Sequence, residues 1–145
     1  MTETDRPEPT AASVLRRAFA LWSAPPPDAV LGVEAFAGLY RDPVRVNGVV
    51  TPLPEFVGRA RQLLGALDDV RHEIHEQVEA PGRLAFAFQL TARHTGPLTI
   101  SDEVYEAAGN EITIQGMDIF LLDDEGFVTD VWALNDLATV VAAAR

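Results

Sequence analysis

Cysteine is absent from the 145 residues, which excludes disulfide bonds, thiolate nucleophiles and cysteine metal ligands. No apolar run approaches the roughly 18 residues that a membrane-spanning helix requires. The first ten residues are acidic and proline-rich, without the apolar core of a signal peptide. The sequence therefore favours a soluble cytoplasmic protein.

Positive charge is scarce as well, with 11 Lys and Arg residues against 22 Asp and Glu residues and a net charge of −11. An acidic surface repels phosphate backbones and anionic lipids, so neither nucleic acid nor a membrane is expected as a partner. The sequence has no phosphate-cradling glycine loop, nucleophile elbow or zinc motif. His72 and His75 would face opposite ways on a strand, so we expect both in solvent, and no metal or cofactor.

The length favours a single domain, which we expect over residues 10–145 after a flexible tail at residues 1–9. Thr10 and Asp28 are suitable N-caps for the first two amphipathic stretches. Pro54 fits the first turn of a third helix, which we expect to end at Asp68-Asp69. Three helices therefore come early in the chain.

From residue 70 onward the apolar positions alternate, as they do in β-strands. The predicted strands cover residues 70–79, 83–94, 111–122 and 127–134, after a shorter one at 40–46 that turns at Asn47-Gly48. The loop at 95–109 is expected to hold one helical turn, and a last helix covers residues 136–144. Helices segregated from an antiparallel sheet predict an α+β fold.

Two aspartates lie within predicted strands. Asp118 is in the apolar run GMDIFLL, where burial would raise its pKa and suit a general acid or base near neutral pH. The alternative is a buried aspartate that only hydrogen-bonds to a neighbouring element. Asp42 precedes Pro43, which favours a strand end or edge. Its side chain either points into a cavity mouth or lies in a solvated turn.

Aromatic residues recur at spacings that could line a pocket for a flat polycyclic ligand, although such residues more often form plain core. They are Trp22, Tyr40, Phe86, Phe88, Phe120 and Trp132. His94 ends a long predicted strand, where a histidine can shuttle a proton but more often binds the backbone. All seven are candidate substrate-binding residues.

Several segments follow one another along the chain, namely YRDPVRVNG, a helix, DDVRHEI, FQLTARHTGPL and GMDIFLLDDEGFVTDVWALND. Their order and spacing resemble the SnoaL-like polyketide cyclases of the nuclear transport factor 2-like superfamily, which also holds ketosteroid isomerases and limonene epoxide hydrolases. The resemblance implies a cone-shaped α+β barrel, with a curved antiparallel or mixed sheet wrapped around N-terminal helices and enclosing an apolar pocket, usually in a homodimer. It matches Asp118 to the essential aspartate of that pocket, and Asp42 to the general base of the isomerases.

The resemblance also implies a cofactor-free enzyme of polyketide or related secondary metabolism. Asp118 would move a proton during aldol-type cyclisation or isomerisation of an apolar substrate, while a non-catalytic ligand-binding or scaffold dimer is the alternative. Phe19 stands in the region where isomerases carry a tyrosine, which disfavours steroid isomerisation. Gly116 stands two residues before Asp118, where the epoxide hydrolases have the arginine of an Arg-x-Asp pair, so that activity is disfavoured too.

Overall fold

The computed structural model describes residues 10–24 and 26–143, so the tail predicted for residues 1–9 lies outside the described residues. Within the described residues, α-helices pack on one face of a β-sheet. The helices are α1 (Ala11–Leu21), α2 (Ala29–Ala37), α3 (Leu53–Gly65) and α4 (Leu137–Ala143). The strands are β1 (Tyr40–Val46), β2 (Val49–Thr51), β3 (Leu67–Ala80), β4 (Arg83–His94), β5 (Leu98–Ile100), β6 (Glu103–Tyr105), β7 (Glu111–Leu122) and β8 (Val128–Asn135).

The first two helices begin at side chains that satisfy their free N–H groups. Thr10 and Ser13 form a capping box at α1, in which each side-chain oxygen lies 3.1 Å from the backbone nitrogen of the other residue. At α2, Asp28 Oδ1 accepts the N–H of Leu31 at 2.8 Å. The two predicted N-caps are confirmed, and Pro54 lies in the first turn of α3 as predicted.

The main sheet has six strands in the order β2-β1-β8-β7-β4-β3, and β1 runs parallel to β8 while the other pairs are antiparallel. The predicted α+β class with a mixed sheet is confirmed. In the described part of the chain the edge strands β2 and β3 have one neighbour each. The sheet is therefore open, and not the closed barrel that the resemblance implied. Register shifts along β1, β3 and β8 bend it around the helices.

The structure corrects two sequence predictions about local structure. α3 ends at Gly65, and Asp68-Asp69 already belong to β3, where a register shift accommodates the left-handed φ of 53° at Asp69. The segment predicted as a helical turn is the hairpin β5–β6. Ser101 and Asp102 turn this hairpin with φ values of 50° and 67°, which are typical of a two-residue hairpin loop.

The hydrophobic core lies between the first three helices and the concave face of the sheet. Its fully buried members include Leu15 of α1, Phe36 of α2, Val57 of α3 and Leu84 of β4. A second cluster lies where β5, β6 and α4 cover the other end of β4 and β7. Phe88 packs against both clusters. No helix in the described ranges is long and apolar enough to cross a membrane.

Candidate functional site

A cavity of about 240 Å³ lies between α1, α3 and the concave face of the sheet, and we name it the inner cavity. Its lining is largely aromatic and aliphatic, with few polar side chains. The lining residues are Ala18, Phe19, Trp22, Tyr40, Val46, Phe56, Arg59, Leu63, His72, Phe86, Phe88, Leu90, Ile114, Asp118, Phe120, Val131, Ala133, Asn135 and Leu137. Apolar walls with a few convergent polar groups are typical of small-molecule sites.

Asp118 occupies the centre of the sheet face that forms this cavity. It lies on β7 between Phe86 of β4 and Ala133 of β8 in the strand register. Its chain neighbours Met117 and Ile119 are 64% and 42% exposed on the opposite face of the sheet. Because side chains alternate along a strand, the Asp118 carboxyl group points towards the inner cavity.

The carboxyl group of Asp118 is largely removed from water, and burial raises its pKa from 3.8 to about 7. In residues 10–24 and 26–143, no hydrogen-bond donor reaches this carboxylate, so nothing in these ranges offsets the cost of charging it. The group therefore exchanges its proton near neutral pH. A carboxyl group of this kind can act as a general acid in one step and as a general base in another.

Tyr40 and Trp22 form a hydrogen-bonded pair in the same cavity, as Trp22 Nε1 donates to Tyr40 Oη at 3.1 Å. Burial and the nearby Asp118 raise the pKa of Tyr40, against the opposing effect of the Trp22 hydrogen bond. The phenol is therefore neutral, and its oxygen already accepts one hydrogen bond. Its own O–H remains as a donor close to Asp118.

Three predicted pocket phenylalanines, Phe86, Phe88 and Phe120, line the inner cavity. Phe86 meets Phe120 edge to face, with ring centroids 5.1 Å apart. Phe88 lies over Gly116, where a Cβ atom would be 2.5 Å from the Phe88 Cζ atom. Gly116 therefore provides the space that the Phe88 ring occupies.

His72 lines the cavity, although the sequence predicted it to lie in solvent. Its ring stacks on Phe19 with centroids 4.6 Å apart, and burial lowers its pKa to about 4. A register shift in β3 between Ile74 and Glu76 changes which side chains face inward. His72, which precedes this shift, lines the cavity, while His75 is exposed. His72 lies opposite Leu90 of β4 in the strand register. Knowledge of this pairing would have indicated that His72 faces the cavity.

Arg59 and Asn135 also line the cavity and were not predicted. The Arg59 side chain is 51% exposed and forms an ion pair with Glu55 at 3.4 Å. An exposed pair of this kind contributes little to stability. Arg59 therefore lies where the cavity meets solvent. It lies outside the apolar stripe of α3, so the spacing of apolar residues did not predict it as a cavity residue.

Asp42 does not line the inner cavity. Its side chain is exposed, and Oδ1 accepts the N–H of Leu53 at 3.0 Å. α3 begins there without a capping side chain of its own, so Asp42 supplies the missing acceptor from β1. Asp42 lies inside β1 and not at its end, and the register between β1 and β8 shifts around the cis Asp42-Pro43 bond. The β2 register covers Val44–Val46 of β1, so Asp42 precedes that pairing. The catalytic role predicted for Asp42 stays a prediction.

His94 and Trp132, both predicted to bind substrate, also lie away from the inner cavity. His94 is 1% exposed at the end of β4 and pairs with Leu67 of β3, beside the second core cluster. Trp132 is 47% exposed, because its phase on β8 turns it to the convex face of the sheet. The alternation of side chains along these strands was predicted correctly. The sequence did not show whether Trp132 belongs to the side that faces the helices or to the opposite side.

The convex face carries a wide depression of about 590 Å³, which we name the outer groove. Its walls are exposed apolar side chains, including Val78, Met117, Trp132 and Leu134. Asp118 and Phe86 border it as well, but strand alternation turns their side chains to the other face. The outer groove is therefore an apolar surface, and the Asp118 side chain belongs to the inner cavity. Among the described residues, no group of three or more His, Asp or Glu side chains could hold a metal ion.

Solved structures share this architecture. A SnoaL-like polyketide cyclase from Agrobacterium tumefaciens has a TM-score of 0.71 at 13% identity, covering 93% of this chain and 97% of that one. TsrD from Streptomyces laurentii has a TM-score of 0.66 at 16% identity, covering 90% and 96%. An NTF2-like protein of unknown function from Exiguobacterium has a TM-score of 0.61 at 20% identity, covering 85% and 98%. Likeness at these identities shows the fold alone.

No curated relative matches the sequence. The sequence model of the SnoaL-like polyketide cyclases matches residues 12–144, which is nearly the whole chain and includes Asp118. The fold, the apolar cavity and the aspartate within it agree with that match. The protein therefore belongs to the SnoaL-like polyketide cyclase family.

Proposed function

We propose that the inner cavity binds an apolar carbonyl compound and that Asp118 transfers a proton at the carbon next to the carbonyl group. The observation that carries this proposal is a carboxyl group with a pKa of about 7 on an aromatic-lined cavity wall. Membership of the polyketide cyclase family supports an aldol-type cyclisation or an isomerisation as the outcome. The activity belongs to polyketide or related secondary metabolism and uses the chain's own acid and base groups.

The proposed reaction begins with Asp118 ionised. Its carboxylate takes the α-proton, the C–H bond breaks, and the electron pair moves to the carbonyl oxygen as an enolate. The enolate carbon then attacks a second carbonyl carbon of the same substrate, and a C–C bond forms. The alkoxide produced takes the proton back from Asp118, so that the carboxylate is regenerated. The apolar walls keep water from quenching the enolate.

The O–H of Tyr40 supports the same chemistry. It is a neutral donor close to Asp118, held by the hydrogen bond from Trp22 at 3.1 Å. A positioned donor stabilises negative charge that develops on an oxygen atom in a water-poor site. We therefore assign Tyr40 to binding the carbonyl oxygen and Asp118 to moving the proton.

Hydrogen–deuterium exchange at the α-carbon of 1-tetralone tests the proton transfer without requiring the natural substrate. The wild-type protein should catalyse the exchange in deuterated buffer, as measured by mass spectrometry. Asp118→Asn should slow it by about 10²–10⁴-fold, the usual contribution of a general acid or base. Asp124→Asn, at the exposed tip of the β7–β8 hairpin, is the matched control and should exchange at the wild-type rate. Equal rates for Asp118→Asn and the wild type would refute the mechanism.

The binding-only alternative has one observation in its favour. Phe19 lines the cavity from α1 and carries no hydroxyl group that could contribute to an oxyanion site. This alternative would be supported if calorimetry shows that 1-tetralone binds while its α-carbon exchanges hydrogen for deuterium no faster than in buffer without protein. Detectable exchange that depends on Asp118 would exclude it.

We also propose that two copies of the chain associate through the outer groove. Apolar side chains with large exposed fractions lie together on this face, among them Val78 at 66%, Met117 at 64% and Leu134 at 74%. A contiguous exposed apolar surface marks an interaction site. A second copy is a suitable occupant because the groove is apolar, so the net charge of −11 on each chain is not concentrated where the copies meet.

A further inference from the structure

The His72 ring is held in one orientation inside the inner cavity. It stacks on Phe19 with an interplanar angle of 17° and lies 6.3 Å from the Phe88 ring. Phe19 belongs to α1 and Phe88 belongs to β4. The His72 ring is therefore in contact with both a helix and a neighbouring strand. A side chain fixed in this way presents its polar atoms in a defined direction.

The hydrogen bonds around Ser23 determine which ring nitrogen of His72 carries the proton. The Ser23 hydroxyl group donates its only hydrogen to the carbonyl oxygen of Phe19. Its oxygen lies 3.4 Å from His72 Nδ1 and can therefore only accept a hydrogen bond there. This arrangement favours the tautomer in which Nδ1 carries the proton and Nε2 carries the lone pair.

Nε2 of His72 is an acceptor that the described residues leave unused. Burial lowers the pKa of His72 to about 4, so the ring is neutral at physiological pH. In residues 10–24 and 26–143, Ser23 is the one hydrogen-bonding partner of the ring. Because the ring lines the cavity, this lone pair is available to a bound molecule. The other ionisable groups along the same wall are Asp118, Tyr40 and Arg59.

We propose that Nε2 of His72 accepts a hydrogen bond from a phenol or enol hydroxyl group of the substrate, and so selects hydroxylated aromatic carbonyl compounds. This inference rests on the proposed function for the use of the inner cavity and adds the substrate class. His72 orients the ring through its hydroxyl group, while Asp118 acts at the carbonyl end. A site built to bind a hydroxyl group discriminates against an analogue that lacks it, because the acceptor in the apolar cavity then loses its partner.

Binding of matched ligands tests this assignment separately from catalysis. Dissociation constants are measured by calorimetry for 1-tetralone and for its 5-, 6- and 7-hydroxy derivatives, with the wild type and four variants. The wild type should bind at least one hydroxytetralone about 3- to 10-fold more tightly than 1-tetralone, which is the factor of one neutral hydrogen bond. His72→Phe keeps a ring against Phe19 and should lose this preference. His72→Gln retains an acceptor and should keep part of it.

The remaining two variants are controls. His75→Gln changes an exposed histidine on the same strand and should bind as the wild type does. Asp118→Asn should retain the hydroxyl preference even where it loses proton exchange, so failure of the proposed function and failure of this inference give different results. A preference that survives in His72→Phe, disappears only in Asp118→Asn, or is absent from the wild type would overturn the inference.

The tautomer can be measured without any variant, which keeps the test valid if His72→Phe does not fold. Nitrogen-15 chemical shifts of the histidine rings distinguish a protonated nitrogen from one with a lone pair. His72 should show a protonated Nδ1 and an unprotonated Nε2 at neutral pH, and the Nε2 signal should move on addition of the preferred hydroxytetralone. A protonated Nε2 would refute the proposal.

Discussion

Replacing Asp118 by asparagine should stabilise the folded protein relative to the wild type, by an amount that increases with pH. Burial raises the pKa of Asp118 from 3.8 to about 7, so between these values the folded chain holds a proton that the unfolded chain releases. The stability linked to that proton is fully present below the unfolded pKa and is lost as the pH rises through the folded pKa. Asparagine is similar in shape and has no proton to lose.

The size of this effect follows from the pKa difference. The rise from 3.8 to about 7 is about 3 pKa units, and each unit corresponds to about 1.36 kcal/mol. The free energy of unfolding of Asp118→Asn minus that of the wild type should therefore increase by about 4 kcal/mol between about pH 4 and about pH 8. The other titrating groups are common to both proteins and cancel in the difference.

Urea denaturation followed by tryptophan fluorescence measures this difference at intervals of one pH unit. Asp124→Asn removes a carboxylate at the exposed hairpin tip and controls for the change in net charge. The Asp118 difference should exceed the Asp124 difference clearly above neutral pH. A difference that stays constant to within about 0.5 kcal/mol across the range, which is close to the error of extrapolation, would show that Asp118 titrates as an ordinary exposed carboxyl group.

Three further substitutions test separate parts of the structure. Asp42→Ala should lower the free energy of unfolding by about 1 kcal/mol, because it removes the 3.0 Å hydrogen bond to the Leu53 N–H at the start of α3. Gly116→Ala should lower it by about 1–3 kcal/mol, because the new Cβ atom would lie 2.5 Å from Phe88 Cζ. Leu134→Asp should convert a dimer into a monomer, because this side chain is 74% exposed on the outer groove. Chemical denaturation measures the first two, and analytical ultracentrifugation measures the third.

Each of these substitutions has a matched control. Asp42→Asn keeps an acceptor for the α3 N–H and should cost less than Asp42→Ala; equal losses would argue against the cap. Gly58→Ala lies in α3 with no atom within 4 Å of the new Cβ, so it should not lower the free energy of unfolding. Equal free energies of unfolding for Gly116→Ala and Gly58→Ala would contradict the predicted clash. Val50→Asp, on the exposed edge strand β2, should leave the dimer intact. If the Leu134→Asp variant is still a dimer, the outer groove is not the dimer interface.

Much of the local structure followed from spacing and capping alone. The N-caps Thr10 and Asp28, the turn at Asn47-Gly48 and the bounds of β4 are all as predicted. These features depend on residues close together in the chain, which is why a single sequence reports them. Burial of Asp118 was also predicted, from the apolar residues on both strand phases around it, although the phase of Met117 and Ile119 is exposed.

Features that depend on how strands pair were not predictable in the same way. His72 faces the cavity because it pairs with Leu90, between the two register shifts of β3. Nothing in RHEIHE indicates where an extra residue enters the pairing. For the Asp42 side chain the sequence left two positions open, a cavity mouth and a solvated turn. Its partner instead is the first N–H of α3, eleven residues further along the chain.

By itself the sequence determined the order of the helices and the long strands, the alternation of side chains along those strands, and a carboxyl group set among apolar residues at Asp118. The tertiary structure alone decided that Asp118, Tyr40 and His72 share one cavity, that Asp42 caps a helix, and that Trp132 faces outward. The physical reason is that alternation shows which residues share a face of a strand. Which face the helices cover, and which residue lies opposite, depends on the pairing of strands that are distant in sequence.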